Sequence, residues 1–335
     1  MTSVELPLYV DSTMIRTFKS CPQKFFLEFI RGLRGDGTKV DLHAGGALAY
    51  AIEVANNAFH FEGKSVRDAM AMCSAAFEIA WGDYEVPIRG YSKVDGRPLY
   101  ISPKTKDNVW KAIVTYFDKF PLPTDHIKPY LMPGKATSEF SFAIPLDEET
   151  TGIPFPVHPV HGTPFLYSGR FDLLGSYLNR PIVRDEKTAK SAPAYWAEQW
   201  DLRGQFIGYV WAVQSLLGIE CEQVAVRGII IQIEEIKILE AIKLYSRVLV
   251  NRWLGQLARD IHRLVDCYNS GYFDYDFGET CTSYGLCQYF NACRADDSEV
   301  WLRDFAVRRW NPLQKDPIAT SGTASLPASP TQVQK

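Results

Sequence analysis

Residues Tyr167 to Lys190 read YSGRFDLLGSYLNRPIVRDEKTAK, and this stretch decides the fold. Phe171, Leu173 and Leu174 flank Asp172, the Leu178-Asn179-Arg180-Pro181 segment supplies turn chemistry, and Ile182 and Val183 begin a second apolar run that ends in Asp185-Glu186-Lys187. The pattern predicts a β-hairpin whose two strands each deliver one carboxylate. Side chains alternate along a strand, so Asp185 and Lys187 share a face and Glu186 points to the other. Two carboxylates on neighbouring strands make a site for a hard, oxygen-loving cation such as Mg²⁺ or Mn²⁺. Lys187 beside them is suited to orienting a water or offsetting charge that develops on a phosphate.

Acid-x-Lys spacing does not single out this place on its own. It occurs at Glu62-Gly63-Lys64, at Asp185-Glu186-Lys187 and at Glu235-Ile236-Lys237. Only the middle copy follows a Gly169-x-x-Asp172 strand and precedes a helical pattern in which Gln205 and Tyr209, four residues apart, share a face. Without that context, residues 172, 185 and 187 would read as a surface ion-pair cluster.

Taken together, Gly169-Arg170-Phe171-Asp172, Ile182-Val183-Arg184-Asp185-Glu186-Lys187-Thr188 and Gln205-x3-Tyr209 resemble the RecB-type branch of the PD-(D/E)XK nucleases. The resemblance spans residues 12 to 294 and extends to the iron–sulfur members related to the CRISPR-adaptation nuclease and AddB, many of them phage proteins. It implies an α/β, restriction-endonuclease-like fold with a central mixed sheet flanked by helices. It also implies a metal-dependent DNA nuclease, an exonuclease acting on DNA ends or single strands in recombination, replication or defence. Asp172 and Asp185 would bind Mg²⁺ or Mn²⁺, helped by the backbone carbonyl of Glu186. Lys187 would position the nucleophile, while Gln205 and Tyr209 would orient the DNA backbone through phosphate contacts. One departure stands out: the family's early small-residue helix carries a metal-binding histidine in a G-x3-H-x3-E pattern, and here Ala49 takes its place. His43 falls about 240° around the helix from position 49 and is a poor substitute. Glu53, one turn on, shares that face and offers a third carboxylate; the plainer alternative is an ion-paired or solvent-facing glutamate.

Seven cysteines, an odd number, point to thiols and metal ligation over a disulfide framework. Cys281, Cys287 and Cys293 cluster in TCTSYGLCQYFNAC, a loop-like segment too polar for core packing to account for them. Four-thiolate sites hold structural zinc or an iron–sulfur cluster. The resemblance supplies Cys21, in an early Cys-Pro segment, as the fourth ligand and implies a [4Fe-4S] cluster clasping the two ends of the chain. Cys73, Cys221 and Cys267 sit in apolar patterns and read as core.

A chain of 335 residues with 46% hydrophobic content can bury a large core. A net charge of −3 argues against a general polyanion binder, so contact with DNA would be local. No apolar run is long enough for a membrane span and the start lacks a signal-peptide pattern, which predicts a cytoplasmic protein, in the host cytoplasm if phage-encoded. One nuclease domain is expected over 1–311 and a disordered Pro/Ser/Thr-rich tail over 312–335. Along the chain, two short helices break at Cys21-Pro22 with Ser12 as N-cap. A small-residue helix opens at Gly45-Gly46 and runs from Ala47 to Phe59, and further helices cover 65–83 and 104–119. A strand covers Thr137–Ile144, and a proline-rich loop covers 153–164. A single helix spans Trp196–Leu217 with Leu202 on its apolar side, strands cover Val224–Gln232 and Lys237–Tyr245, and a helix covers Arg247–Asn269. Two other classes fit less of the pattern: a catalytically silent nuclease fold that binds DNA or a partner, and a redox sensor built on the cluster.

Overall fold

The computed structural model describes residues 5–35, 39–94, 96–130, 138–283 and 285–313. Thr137 and residues 314–335 of the expected tail therefore lie outside the described residues. Seven strands form the central sheet: β1 (Tyr9–Val10), β2 (Lys128–Pro129), β3 (Ser138–Leu146), β4 (Phe165–Tyr177), β5 (Arg180–Ala189), β6 (Gln223–Ile231) and β7 (Ile236–Leu244). Among the described residues, six helices of nine or more residues accompany them: α1 (Ser12–Ser20), α2 (Val40–His60), α3 (Val66–Trp81), α4 (Lys106–Lys119), α5 (Gly204–Leu217) and α6 (Arg247–Ser270).

The expected hairpin is β4–β5, joined by a two-residue turn in which Leu178 and Asn179 take φ of 49° and 62°. Such left-handed turns match the twist of the flanking strands, and asparagine tolerates that conformation. The sheet is mixed: β5 runs parallel to β6, β1 parallel to β4, and the remaining pairs are antiparallel. Leu166 pairs with both β1 and β3, and Leu173 with both β3 and β5, so β1 and β5 lie along the same edge of β4. The β4–β5 ladder begins at Leu173↔Arg184 and continues only toward the turn. Beyond it the two strands part and form a fork, with β1 re-closing the far end of β4.

Helices cover both faces. On one, α2, α3 and α4 pack Ala44, Ala51, Phe77 and Ile113 against Ile229, Ile231 and Ile238. On the other, α1, α5 and α6 pack Phe18, Phe206, Val210 and Leu257 against Phe142, Phe171, Val183 and Val226. Cys73, Cys221 and Cys267 are buried as expected.

Three local expectations need correction. Asp11, not Ser12, caps α1: its extended backbone lets Oδ1 accept the Met14 N–H at 2.7 Å while Trp310 Nε1 donates to the other oxygen at 2.8 Å. Gly45 and Gly46 lie inside α2 and do not open it. The helix begins at Val40, a Cβ on Gly45 would make only an ordinary 3.6 Å contact with Thr188 Oγ1, and one on Gly46 would meet nothing within 4 Å, so packing on the sheet does not demand either glycine. The helix expected from Trp196 to Leu217 is broken into a 3₁₀ turn, Glu198–Trp200, and α5, with extended Arg203 between them. Trp196, just before the 3₁₀ turn, packs over Gly228, where a side chain would collide with the indole. Leu202, expected on the apolar side, is 77% exposed.

The two ends of the chain meet. Leu33–Arg34 pairs with Ala306–Val307, Arg31 holds Glu299 through a bidentate pair at 2.7 and 3.0 Å, and Gln23 N–H donates to Asp274 O at 3.0 Å. Tyr289 donates its hydroxyl to Leu33 O at 2.5 Å, and Phe26 stacks on Phe273.

Candidate active site

Asp172 and Asp185 sit immediately past the last β4–β5 ladder pair, in the crotch of the fork. Strand separation there frees a backbone donor: Glu186 N–H points to Asp172 Oδ2 at 2.8 Å. Gly169 explains the glycine of the β4 motif, because a Cβ there would lie 2.6 Å from the Phe142 ring and 3.3 Å from Tyr209. Those rings, with Phe171, form the apolar floor that holds β4 against α5.

Alternation along β5 sorts its side chains as expected. Asp185 faces α5, where Lys187 Nζ meets Oδ1 at 2.5 Å and Gln205 Nε2 approaches Oδ2 at 3.4 Å. The same Gln205 amide donates to the Tyr209 hydroxyl at 2.8 Å, so Gln205, Tyr209 and Asp185 form one chain of contacts. Tyr209 is 6% exposed and packed among Phe142, Phe171 and Phe206, whereas Lys187 keeps 31% of its side chain open.

Both carboxyls are pushed up from the usual range. For Asp172 burial is the main cause, with Asp185, Glu186 and Glu139 adding repulsion and Lys187 opposing it. For Asp185 burial again leads, opposed by Lys187. Desolvated carboxylates that repel one another call for a cation. The donors are hard oxygens and suit Mg²⁺ or Mn²⁺. Among the described residues no three His, Cys, Asp or Glu side chains are set to hold one metal ion, so the two aspartates would be joined by backbone carbonyl or water.

On the opposite face of the sheet, a cavity of about 10 Å³ is lined by Asp172, Glu53, Glu139, Glu186 and Ala49, among others. That volume is close to one water. Glu53 thus lies in the same small space as Asp172, and Ala49 lines it too. His43 is turned away, stacked on Tyr84 at 4.0 Å with Nε2 3.1 Å from Trp81 O.

Sequence reasoning missed two parts of this site. Glu139 on β3, with φ of 50°, holds Arg170 at 2.5 Å and adds negative charge beside Asp172; no pattern in the sequence marks it. Beneath the fork runs a buried ionic network. Arg227 grips Asp125 at 2.6 and 2.7 Å and also meets Glu240 at 2.9 Å and Tyr116 Oη at 2.9 Å. Tyr116 in turn donates to Glu186 Oε1 at 2.7 Å, where Arg184 Nε also arrives at 2.7 Å. This fixes the residue between Asp185 and Lys187 from behind. Its signal was present: Arg184 and Arg227 interrupt apolar strand runs, and a charge placed there needs a partner.

The four cysteines come from the two joined ends. Burial and the neighbouring Cys21, Cys287 and Cys281 push the Cys293 thiol up to about 11, and burial, Cys287 and Cys21 raise Cys281. Glu235 and Lys237, the competing acid-x-Lys copy, form a 3.0 Å ion pair at the β6–β7 turn, both about half exposed.

A family model described as the PD-(D/E)XK nuclease superfamily matches residues 12–294. The chain belongs to this superfamily. Its members are nucleases, and the match takes in the fork, α5 and all four clustered cysteines. No curated protein matches this nuclease-family chain. Among solved structures, a presumed exonuclease from Eubacterium rectale is 15% identical, with a TM-score of 0.43, over 86% of this chain and 88% of that one. The protein SSO0001 is 12% identical, with a TM-score of 0.27, over 78% and 79% of the two chains. No helix among the described residues is long and apolar enough to cross a membrane.

Proposed function

We propose that this superfamily member is a metal-dependent deoxyribonuclease acting on DNA ends or single strands. The observation that carries the reading is the fork, where half-buried Asp172 and buried Asp185 raise each other's cost of ionisation beside Lys187, whose side chain stays 31% exposed. Asp172, Asp185 and the Glu186 carbonyl would hold Mg²⁺ or Mn²⁺, while Glu53, across the small cavity it shares with Asp172, would have to turn toward the fork to add a third carboxylate. The cation, once bound, acidifies a water and offsets charge on the scissile phosphate. Lys187, steered by Asp185, directs its ammonium to the attacking water. Gln205 keeps Asp185 oriented, and Tyr209 backs Gln205 from the core.

Cys21, Cys281, Cys287 and Cys293 would bind a [4Fe-4S] cluster that ties the two chain ends together. Cys21, Cys287 and Cys281 together with burial raise the Cys293 thiol, so the four thiols lie within electrostatic reach of one another, which supports a shared metal site. The proposed domain runs from 1 to 311, and the protein would work in the cytoplasm, that of the host cell if it is phage-encoded.

The deciding experiment incubates labelled linear and circular, single- and double-stranded DNA with the protein in Mg²⁺, Mn²⁺ or EDTA. Cleavage should require the metal, vanish in Asp185→Ala and persist in Glu235→Ala. Loss in Glu235→Ala with survival in Asp185→Ala would move the site to the other acid-x-Lys copy. Protein purified without air should carry about four irons per chain; one zinc per chain would overturn the cluster.

A further inference from the structure

A cleft of about 620 Å³ opens beside the fork, between the start of α1, the 202–205 segment and the middle of α6. Lys187 and Gln205 line it, so it is continuous with the candidate carboxylates. Its walls divide by chemistry. Arg16, Lys19 and Arg203 bring positive charge. Arg16 is exposed, and the Arg203 guanidinium lies 5.9 Å from the Trp200 ring centroid. Lys19 pairs with buried Asp260 at 3.4 Å and Gln256 donates to the same carboxylate at 2.9 Å, so Lys19 and this acid offset each other and the net positive charge comes from Arg16 and Arg203. Facing these charges, Trp253 is half-buried against Tyr167 and Trp211, with ring centroids 5.3 and 6.0 Å away, and Leu202 stands 77% exposed.

Cations on one side and an indole with a bare leucine on the other match a nucleotide whose base is unpaired. A phosphate takes the arginines, and a base face takes the apolar wall. In a duplex the base faces are stacked away, so the indole and the leucine would have only base edges to meet. A volume of this order admits about one or two nucleotides. The chain's net charge of −3 makes a local grip of this kind the form that nucleic-acid contact has to take.

We propose that this cleft binds the end of a single DNA strand next to the scissile phosphate, with Arg16 and Arg203 on the backbone and Trp253 and Leu202 on a base. The proposal rests on the nuclease reading above and names its substrate as single-stranded. The cleft selects a frayed or unpaired end, and a fully paired end has to open by about a nucleotide to enter.

The test measures binding of a fluorescent single-stranded DNA oligonucleotide, and of the same sequence as a blunt duplex, in EDTA so that nothing is cut. Arg16→Glu, Leu202→Asp and Trp253→Ala should each weaken single-strand binding about tenfold, the scale of one lost base stack or phosphate contact. Arg16→Glu should also flatten the dependence of log K on log salt by about one, which a purely structural effect would not do. Trp253→Phe, which keeps a stacking face, should restore most of the affinity and guards against a folding artefact. Wild-type single-strand affinity and salt slope in Arg16→Glu and Leu202→Asp, or tighter wild-type binding to the blunt duplex than to the strand, would overturn the cleft. An RNA strand of the same sequence bound more tightly than DNA would overturn the DNA assignment. Single-strand binding that depends on these residues, in a protein that cuts no DNA with Mg²⁺ or Mn²⁺, would sink the nuclease reading and keep the cleft.

Discussion

Asp172 shows what the proposed metal-binding role would cost. Its half-buried carboxyl lies beside Asp185, Glu186 and Glu139, and desolvation and repulsion raise its folded-state pKa well above the ordinary carboxylate value. A group whose pKa rises on folding contributes stability only below its unfolded value, near 4, and that contribution is lost as pH climbs through the folded value. At neutral pH the metal-free protein therefore carries a penalty at this position. Asp172→Asn removes the charge and keeps the shape. It should abolish cleavage and yet raise the melting temperature in EDTA at pH 7, on the order of 2 °C. The gain should shrink as pH falls toward 4, and a scan of melting temperature against pH checks both statements. Added Mg²⁺ should raise the melting temperature of the wild type and leave Asp172→Asn almost unmoved.

At the scale of elements, the fork depends on how closely α5 approaches β4. Gly208 lies under the Tyr167 ring, and a Cβ there would run into the phenol oxygen and ring carbons. Tyr167 is 1% exposed and wedged between Trp211 and Trp253, so it has nowhere to go. Gly208→Ala should destabilise the protein by about 1–3 kcal/mol, as overpacking does. It should also reduce cleavage beyond the loss of folded protein, because pushing α5 away moves Gln205 from Asp185. Denaturant unfolding combined with activity per folded molecule separates the two effects. The turn between β4 and β5 is more forgiving: Asn179→Gly suits its φ of 62° and should leave stability nearly unchanged.

For the molecule as a whole, the ionic network under the sheet couples the site to acid stability. Burial alone would raise the Asp125 carboxyl, but Arg227 and Arg184 outweigh it and hold it below the usual range. A depressed pKa contributes stability above the unfolded value, near 3.8, and that contribution disappears as pH falls through the folded value. Unfolding midpoints should therefore drop below about pH 4 more steeply in the wild type than in a variant lacking the carboxylate. Asp125→Ala at pH 7 should cost about 3–5 kcal/mol, because it strands Arg227, 0% exposed, without its bidentate partner. Chemical denaturation from pH 3 to 7 of the two proteins reads both numbers.

Local rules were enough for much of this chain. Alternating apolar residues around Asp172 and Asp185, with Asn179 in the turn, specify the hairpin and put Asp185 and Lys187 on one face, because strand alternation has a strict period of two. Helical spacing likewise put Gln205 and Tyr209 together, and Ser65 and Thr105 cap α3 and α4 through their own hydroxyls. Where the chain parts from local preference, a distant partner decided the outcome. Trp196 packs on Gly228 just before the break in a helix that periodicity runs through, and α2 starts at Val40, ahead of its two glycines. Asp125 reached Arg227 across 102 residues to build a network that no window of sequence contains. The fork itself is of this kind: β4 and β5 part after Leu173, β1 from the start of the chain takes the far end of the same β4 edge at Leu166 and Tyr167, and the Glu186 N–H is left for Asp172. Backbone hydrogen-bond pairing among strands far apart in the chain is a property of the assembled sheet, so only the tertiary structure could place it.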